Sequence, residues 1–207
     1  KGARTMVRIT CCMVVRTVLT SVVVRVIRLD VENRSVTFDQ APKRFVVANY
    51  VANFLLVAGE ENLKKIVAIP GDGWEAMRKG EYLAYTKAFP ELKTLPSIGG
   101  YHDDILNSEK ILSLKPDVLL VNRSQYHINQ QRLAILEKAG IKVVVLDYHA
   151  MKEANHLQST KILGQLLGRE AVAKDLCDTY TNAIETVKDR IDKLPASRLN
   201  QRAYFEL

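Results

Sequence analysis

Asp117-Val118-Leu119-Leu120-Val121 and, one helical segment later, Ile141-Lys142-Val143-Val144-Val145-Leu146 decide the fold. Within them, Val118 to Val121 and Val143 to Leu146 are short runs of β-branched residues and leucine, apolar at consecutive positions. Such runs suit strands that are covered on both faces. Lys115-Pro116 precedes the first and stops a helix expected over 107–114. Between the two strands, residues 129–139 carry helical periodicity and close at Gly140. Strand, helix, strand in that order requires a right-handed crossover and a parallel pairing.

The pattern continues in both directions. Upstream, strands are expected over 45–48 and 65–69, the first followed by a helix over 50–58 that Gly59 ends. Residues 74–89 are compatible with helix or irregular chain, and Gly71-Asp72-Gly73 reads as a turn. Downstream, a helix over 153–167 closes at Gly168. Val172, Leu176, Thr179, Ala183, Val187, Ile191 and Leu194 then mark one stripe on a helix over 170–194, ended by Pro195. At 1.5 Å per residue it is about 37 Å long. Residues 7–10, 17–27, 34–38 and 202–207 read as strands. The expected fold is therefore α/β: a mostly parallel sheet with helices on both faces, and a long helix at its C-terminal end.

Composition excludes several classes. With 207 residues, 47% hydrophobic, the chain is globular and long enough to bury a full core. The apolar stretch 45–59 contains Asn49 and Asn53 and falls short of the about 20 residues of a membrane span. The three cysteines have no zinc spacing; Cys11 after Ile9-Thr10 resembles a lipoprotein cleavage box, although no long apolar run precedes it. The net charge is +7, spread along the chain without a basic run, so no nucleic-acid partner is expected.

No dinucleotide, phosphate-loop, nucleophile-elbow or zinc-protease motif is present. Ser124 and His127 do not make a triad by proximity in sequence, and His149 and His156 are not expected to share a helix face as a metal pair. No catalytic residue, metal ligand or cofactor is assigned. The informative residues are those that follow the strands, where an open parallel sheet binds its ligands. They are Asn49 and Tyr50, Trp74, Arg123 and Tyr126, and Tyr148 and His149, joined by Tyr101 and His102 in the loop before the 107–114 helix. Aromatic and polar side chains gathered on one edge suit a ligand pocket.

Several strings, in order, resemble the substrate-binding proteins of ABC importers with a single helical backbone, which handle iron–siderophore complexes, haem and corrinoids. They are Arg34-Ser35-Val36-Thr37-Phe38, Ala41-Pro42-Lys43-Arg44-Phe45-Val46-Val47, Leu95-Pro96-Ser97-Ile98-Gly99-Gly100, Asn107-Ser108-Glu109-Lys110-Ile111-Leu112-Ser113-Leu114-Lys115-Pro116-Asp117, Leu136-Glu137-Lys138-Ala139-Gly140-Ile141 and Leu163-Gly164-Gln165-Leu166-Leu167-Gly168-Arg169-Glu170. The resemblance implies an N-terminal α/β lobe over 34–169, a backbone helix over 170–195 and, from 196, the start of a C-terminal lobe that the sequence lacks. Residues 1–33 remain a β-rich leader of uncertain role. It implies an extracytoplasmic protein, periplasmic or anchored on the outer face of the membrane, that binds without catalysis. It implies docking of Glu109 on a permease, and a metal complex as ligand. An anionic ferric siderophore is expected first, on the basic charge and Arg123, with haem and corrinoids next. The alternatives are an interaction domain that forms a homodimer through its exposed inter-lobe face and, less favoured, a small α/β enzyme.

Overall fold

A computed structural model describes residues 25–27 and 30–199. The strands expected over 7–10 and 202–207, most of that over 17–27, and Cys11 and Cys12 lie outside the described residues. The remainder is a four-stranded sheet of β3 (Phe45–Val47), β4 (Ile66–Ala68), β5 (Val118–Asn122) and β6 (Lys142–Leu146), in the order β4-β3-β5-β6, with every pairing parallel. Val118 pairs with Phe45 on one side and Lys142 on the other. A separate antiparallel pair joins β1 (Arg25–Ile27) and β2 (Val36–Phe38).

Consecutive apolar residues send alternate side chains into two different cores. Leu120, Val144, Phe45 and Val47 face one layer, with α1 (Val51–Ala58) and α8 (Glu153–Leu167). Leu119, Val121, Val143 and Val46 face the other, with α5 (Ser108–Leu114) and α7 (Gln130–Lys138). All five residues of β5 are buried. Both faces are covered, as the apolar runs required.

The helix boundaries follow local chemistry. Gly59 at φ 65° and Gly168 at φ 69° end α1 and α8. The Asn107 side chain accepts the Lys110 N–H at 2.9 Å and starts α5. A four-residue helix, α2 (Glu60–Leu63), follows Gly59. Residues 71–88 form two helices, α3 (Gly71–Met77) and α4 (Lys79–Ala88), so Gly71-Asp72-Gly73 is the first turn of a helix and not a simple turn. A short 3-10 helix follows at Pro90–Thr94.

Residues 123–128, read from the sequence as loop, are a helix, α6 (Arg123–Ile128). The Asn122 side chain accepts the Gln125 N–H, and the Gln125 side chain accepts the Asn122 N–H, a reciprocal cap.

The long helix α9 (Glu170–Asp192) packs on α8, with Ala173 and Cys177 buried. Val187 and Ile191, and Leu194 beyond the helix, are exposed, so the stripe is covered only in its first half among the described residues. A short helix, α10 (Ala196–Leu199), follows. None of the described helices is long and apolar enough to cross a membrane.

The turn 30–34 lies along the outer edge of β6. Asp30 accepts the Val145 N–H at 3.2 Å, and Arg34 Nη2 donates to the Val143 carbonyl at 2.7 Å. These contacts satisfy backbone groups that a bare sheet edge leaves open.

Candidate ligand-binding groove

Four adjoining cavities follow the carboxyl ends of the strands. The central one, about 250 Å³, is lined by Asn49, Tyr50, Asn53, Trp74, Arg78, Glu81, Tyr101, Tyr148, His149 and His156. It shares Tyr101 with a cavity of about 530 Å³ at Asp72, Ser97–Asp103 and Ile105–Asn107. It shares Tyr50 and His149 with one of about 360 Å³ that also touches Asn122, Arg123, His127 and Asp147. Tyr148 and His156 lead into a fourth, about 350 Å³, against Leu176 and Tyr180 of α9. All four histidines of the chain line this groove.

One buried side chain fixes its loops. The Gln125 amide donates to the carbonyl of Ala48, at the end of β3, at 3.0 Å, and to that of Gly100 at 2.8 Å, while its oxygen caps α6. Fully buried Asn129 extends the network: it accepts the Leu106 N–H at 3.1 Å and donates to the Asp104 carbonyl at 2.6 Å. The loop that presents Tyr101 and His102 is thereby tied to the ends of β3 and β5. Asp147 orders the next loop, accepting from the N–H groups of His149 and Ala150 at 3.1 and 3.0 Å and from Asn155 at 2.8 Å.

The groove is aromatic. Tyr50 meets Tyr148 edge-on at 5.0 Å between centroids and His149 at 4.9 Å. Tyr148 meets His156 at 4.8 Å, and His156 stacks on Tyr180 at 4.1 Å. Tyr50 sits at φ 58°, a left-handed conformation unusual for an aromatic residue. Asn49 Oδ1 accepts its N–H at 2.8 Å. Burial pushes the Tyr50 phenol up to about 12, although the facing N–H groups of Tyr148 and His149 pull the other way. Burial raises Tyr148 further, against its hydroxyl contact with Thr160 at 3.1 Å, and lowers His156.

Of the residues expected from sequence, Asn49, Tyr50, Trp74, Tyr101, Tyr148 and His149 converge on the central cavity. His102 and Arg123 lie in its neighbours. Trp74 is a buried floor residue: its indole N–H donates to Glu81 at 2.8 Å, and its ring meets Tyr82 at 5.4 Å. Tyr126 is not brought to the groove; the turn of α6 carries its ring beneath the Arg34 guanidinium, 4.5 Å away. Arg123 is not a free cation, because its Nε donates to Glu32 and its Nη1 lies 3.8 Å from Asp147. Glu109 is exposed in the first turn of α5. The sequence reading missed Asn53, Arg78, Glu81 and His156 as lining residues. The apolar spacing of the helices carrying them gives no sign of the groove, though His156, seven residues beyond His149, offered a hint. Among the described residues, no group of three or more His, Cys, Asp or Glu side chains is arranged to hold a metal ion.

Comparison with known proteins gives a consistent result. Residues 65–204 match the family described as periplasmic binding protein. The ABC transporter substrate-binding lipoprotein YvrC of Bacillus subtilis (strain 168) is 24% identical over 164 residues, which are 78% of this chain and 46% of YvrC. The crystal structure of the TroA-like periplasmic binding protein FepB from Veillonella parvula is 27% identical with a TM-score of 0.73, over 84% of this chain and 50% of that one. The siderophore-binding protein BauB, bound to two molecules of acinetobactin and ferric iron, shares the fold at 20% identity and a TM-score of 0.56, over 78% of this chain and 52% of its own. The chain thus spans about half the length of these relatives. The family is one of solute-binding proteins, not of enzymes. With its parallel sheet, covered on both faces, and its long C-terminal helix, the chain belongs to the periplasmic binding protein family.

Proposed function

We propose that the chain is the solute-binding component of an ABC importer, or one lobe of it, and that it holds an iron–siderophore or related metal complex in the carboxyl-edge groove for delivery to a permease. The observation that carries this reading is the convergence of Tyr50, Tyr101, Tyr148 and all four histidines on one groove whose loops Gln125 ties together. Aromatic walls interleaved with polar side chains suit a bulky chelate with polar edges. The siderophore and ferric iron bound by BauB support the ligand class. The lipoprotein YvrC supports an extracytoplasmic location on the outer face of the membrane. Glu109, exposed at the start of α5, is the residue proposed to meet the permease.

Trp74 is the only tryptophan and forms the groove floor, so its emission reports occupancy. Full-length protein titrated with ferric catecholates, ferric hydroxamates, haemin and cyanocobalamin is expected to show saturable quenching by one class, with the ligand recovered unchanged. Absence of binding across the panel, or consumption of the ligand, would overturn the reading.

The exposed Val187 and Ile191 of α9, with Leu194 just beyond it, favour a second reading, self-association through an exposed face of the chain. A concentration-dependent dimer in sedimentation velocity is its expected signature, and a monomer throughout the micromolar range counts against it.

A further inference from the structure

We infer that this face of the groove selects a neutral or cationic complex and discriminates against polyanions. The inference rests on the groove being the ligand site and adds the charge class of what it takes.

The chain carries 30 lysines and arginines and a net charge of +7. Only two of those cations, Arg78 and Arg123, line the groove among the described residues. Each already faces a carboxylate, although both side chains stay open to solvent. Arg123 donates through Nε to Glu32, which is half-buried and also lies 3.3 Å from His127 Nε2, and its Nη1 is 3.8 Å from Asp147. Arg78 Nη1 is 3.9 Å from Glu81, whose other oxygen accepts the Trp74 indole N–H at 2.8 Å. Asp72 and Asp103 add two carboxylates where the groove widens beside Tyr101 and His102. Four carboxylates thus line the groove against two guanidinium groups, with Glu32 behind them, whereas residues 30–199 as a whole carry 23 Lys and Arg against 22 Asp and Glu.

An anionic chelate entering here competes with Glu32 and Asp147 for Arg123 and with Glu81 for Arg78, and it also meets the carboxylates of Asp72 and Asp103. Like charges brought together at a concave wall are costly. A neutral chelate meets no such opposition, and a cationic one is drawn toward Asp72 and Asp103. Charges elsewhere on the described surface leave this local field in place, because charges beyond about 8–10 Å are largely screened at physiological salt.

The test uses full-length protein and three ferric probes of differing charge: cationic ferrioxamine B, neutral ferrichrome and a trianionic ferric tris-catecholate, each followed by Trp74 quenching. The cationic or neutral probe is expected to bind at least about tenfold more tightly than the trianion, with the gap narrowing as salt is raised. The double variant Asp72→Asn/Asp103→Asn keeps both amide oxygens as acceptors, including that facing the Ile105 N–H. It is expected to shift the preference about tenfold toward the trianion. Tightest binding of the trianion by the unaltered protein, or a ratio unmoved in the double variant, overturns the charge assignment while leaving the groove as the ligand site. Failure of all three probes to bind removes both.

Discussion

The carboxylate of Asp30 lies 3.0 Å from the Arg34 guanidinium and is fully buried. The same carboxylate accepts the backbone N–H groups of Glu32 and Arg34, each at 3.0 Å, and that of Val145 at 3.2 Å. Arg34 in turn reaches Glu137, the Val143 carbonyl and the Tyr126 ring. One buried acid thus joins the β2 approach to the outer edge of β6. Asp30→Ala leaves three backbone amides without their acceptor and takes one partner from the half-buried Arg34 guanidinium, and is expected to cost about 3–5 kcal/mol. Urea unfolding measures it, and a loss below about 1 kcal/mol would contradict the role.

Gln125→Ala removes the donor shared by the Ala48 and Gly100 carbonyls and half of the α6 cap. The expected loss is about 2–4 kcal/mol. Hydrogen exchange is expected to quicken chiefly across residues 99–106, and ligand affinity to fall with it. Uniformly faster exchange over the whole sheet would mean that the side chain serves the core and not the loops.

Gly164 lies where α8 meets α9. A Cβ there would stand 2.5 Å from the Ala173 Cβ. Gly164→Ala gains about 1 kcal/mol of helix propensity, but separating two packed helices costs about 1–3 kcal/mol. The expected net effect is destabilising. Adding Ala173→Gly opens the space, so the double variant is expected to be more stable than the Gly164→Ala single variant in thermal unfolding. A purely additive pair would disprove the clash.

The Tyr50 phenol, raised by burial to about 12, ionises near 10 once the chain unfolds. Between those values the folded state retains a proton that the unfolded state has lost. The stability Tyr50 contributes is therefore complete below about pH 10 and falls as pH climbs toward 12. Tyr148 adds to the same trend. Tyr50→Phe is expected to flatten the alkaline decline without changing stability near neutrality by more than about 1 kcal/mol. An unchanged slope in denaturant titrations across that range would remove Tyr50 as its source.

Glu109→Gln is expected to leave folding and ligand affinity unchanged, since the side chain is exposed and away from the groove. Uptake through the assembled transporter is expected to fall severalfold. Normal uptake would assign Glu109 to the solvated surface alone.

The strands over 45–48, 65–69, 117–121 and 141–146 were legible because each holds three or more consecutive apolar residues and their neighbours carry Gly or Pro stops. Helix α6 was not, because Arg123–Ile128 has no apolar stripe; its one signal is the Asn122-x-x-Gln125 cap. Reading that stretch as loop is what placed Tyr126 at the groove. The pairing of Arg123 with Glu32 spans 91 residues, so no local pattern announces it. The expectation of an anionic ligand rested on the basic charge of the chain and on Arg123, and the structure shows Arg123 already paired.

The Gln125 knot also bears on the energetics of capture. The loop at Gly100, the end of β3 and the start of α6, which share one buried amide, cannot open independently. Their conformational freedom is surrendered when the chain folds, before any solute arrives, so little further ordering opposes binding on this face. Solute entry is then governed by encounter with a ready-made wall, and differences among solutes of one size are expected in their residence times rather than in their arrival.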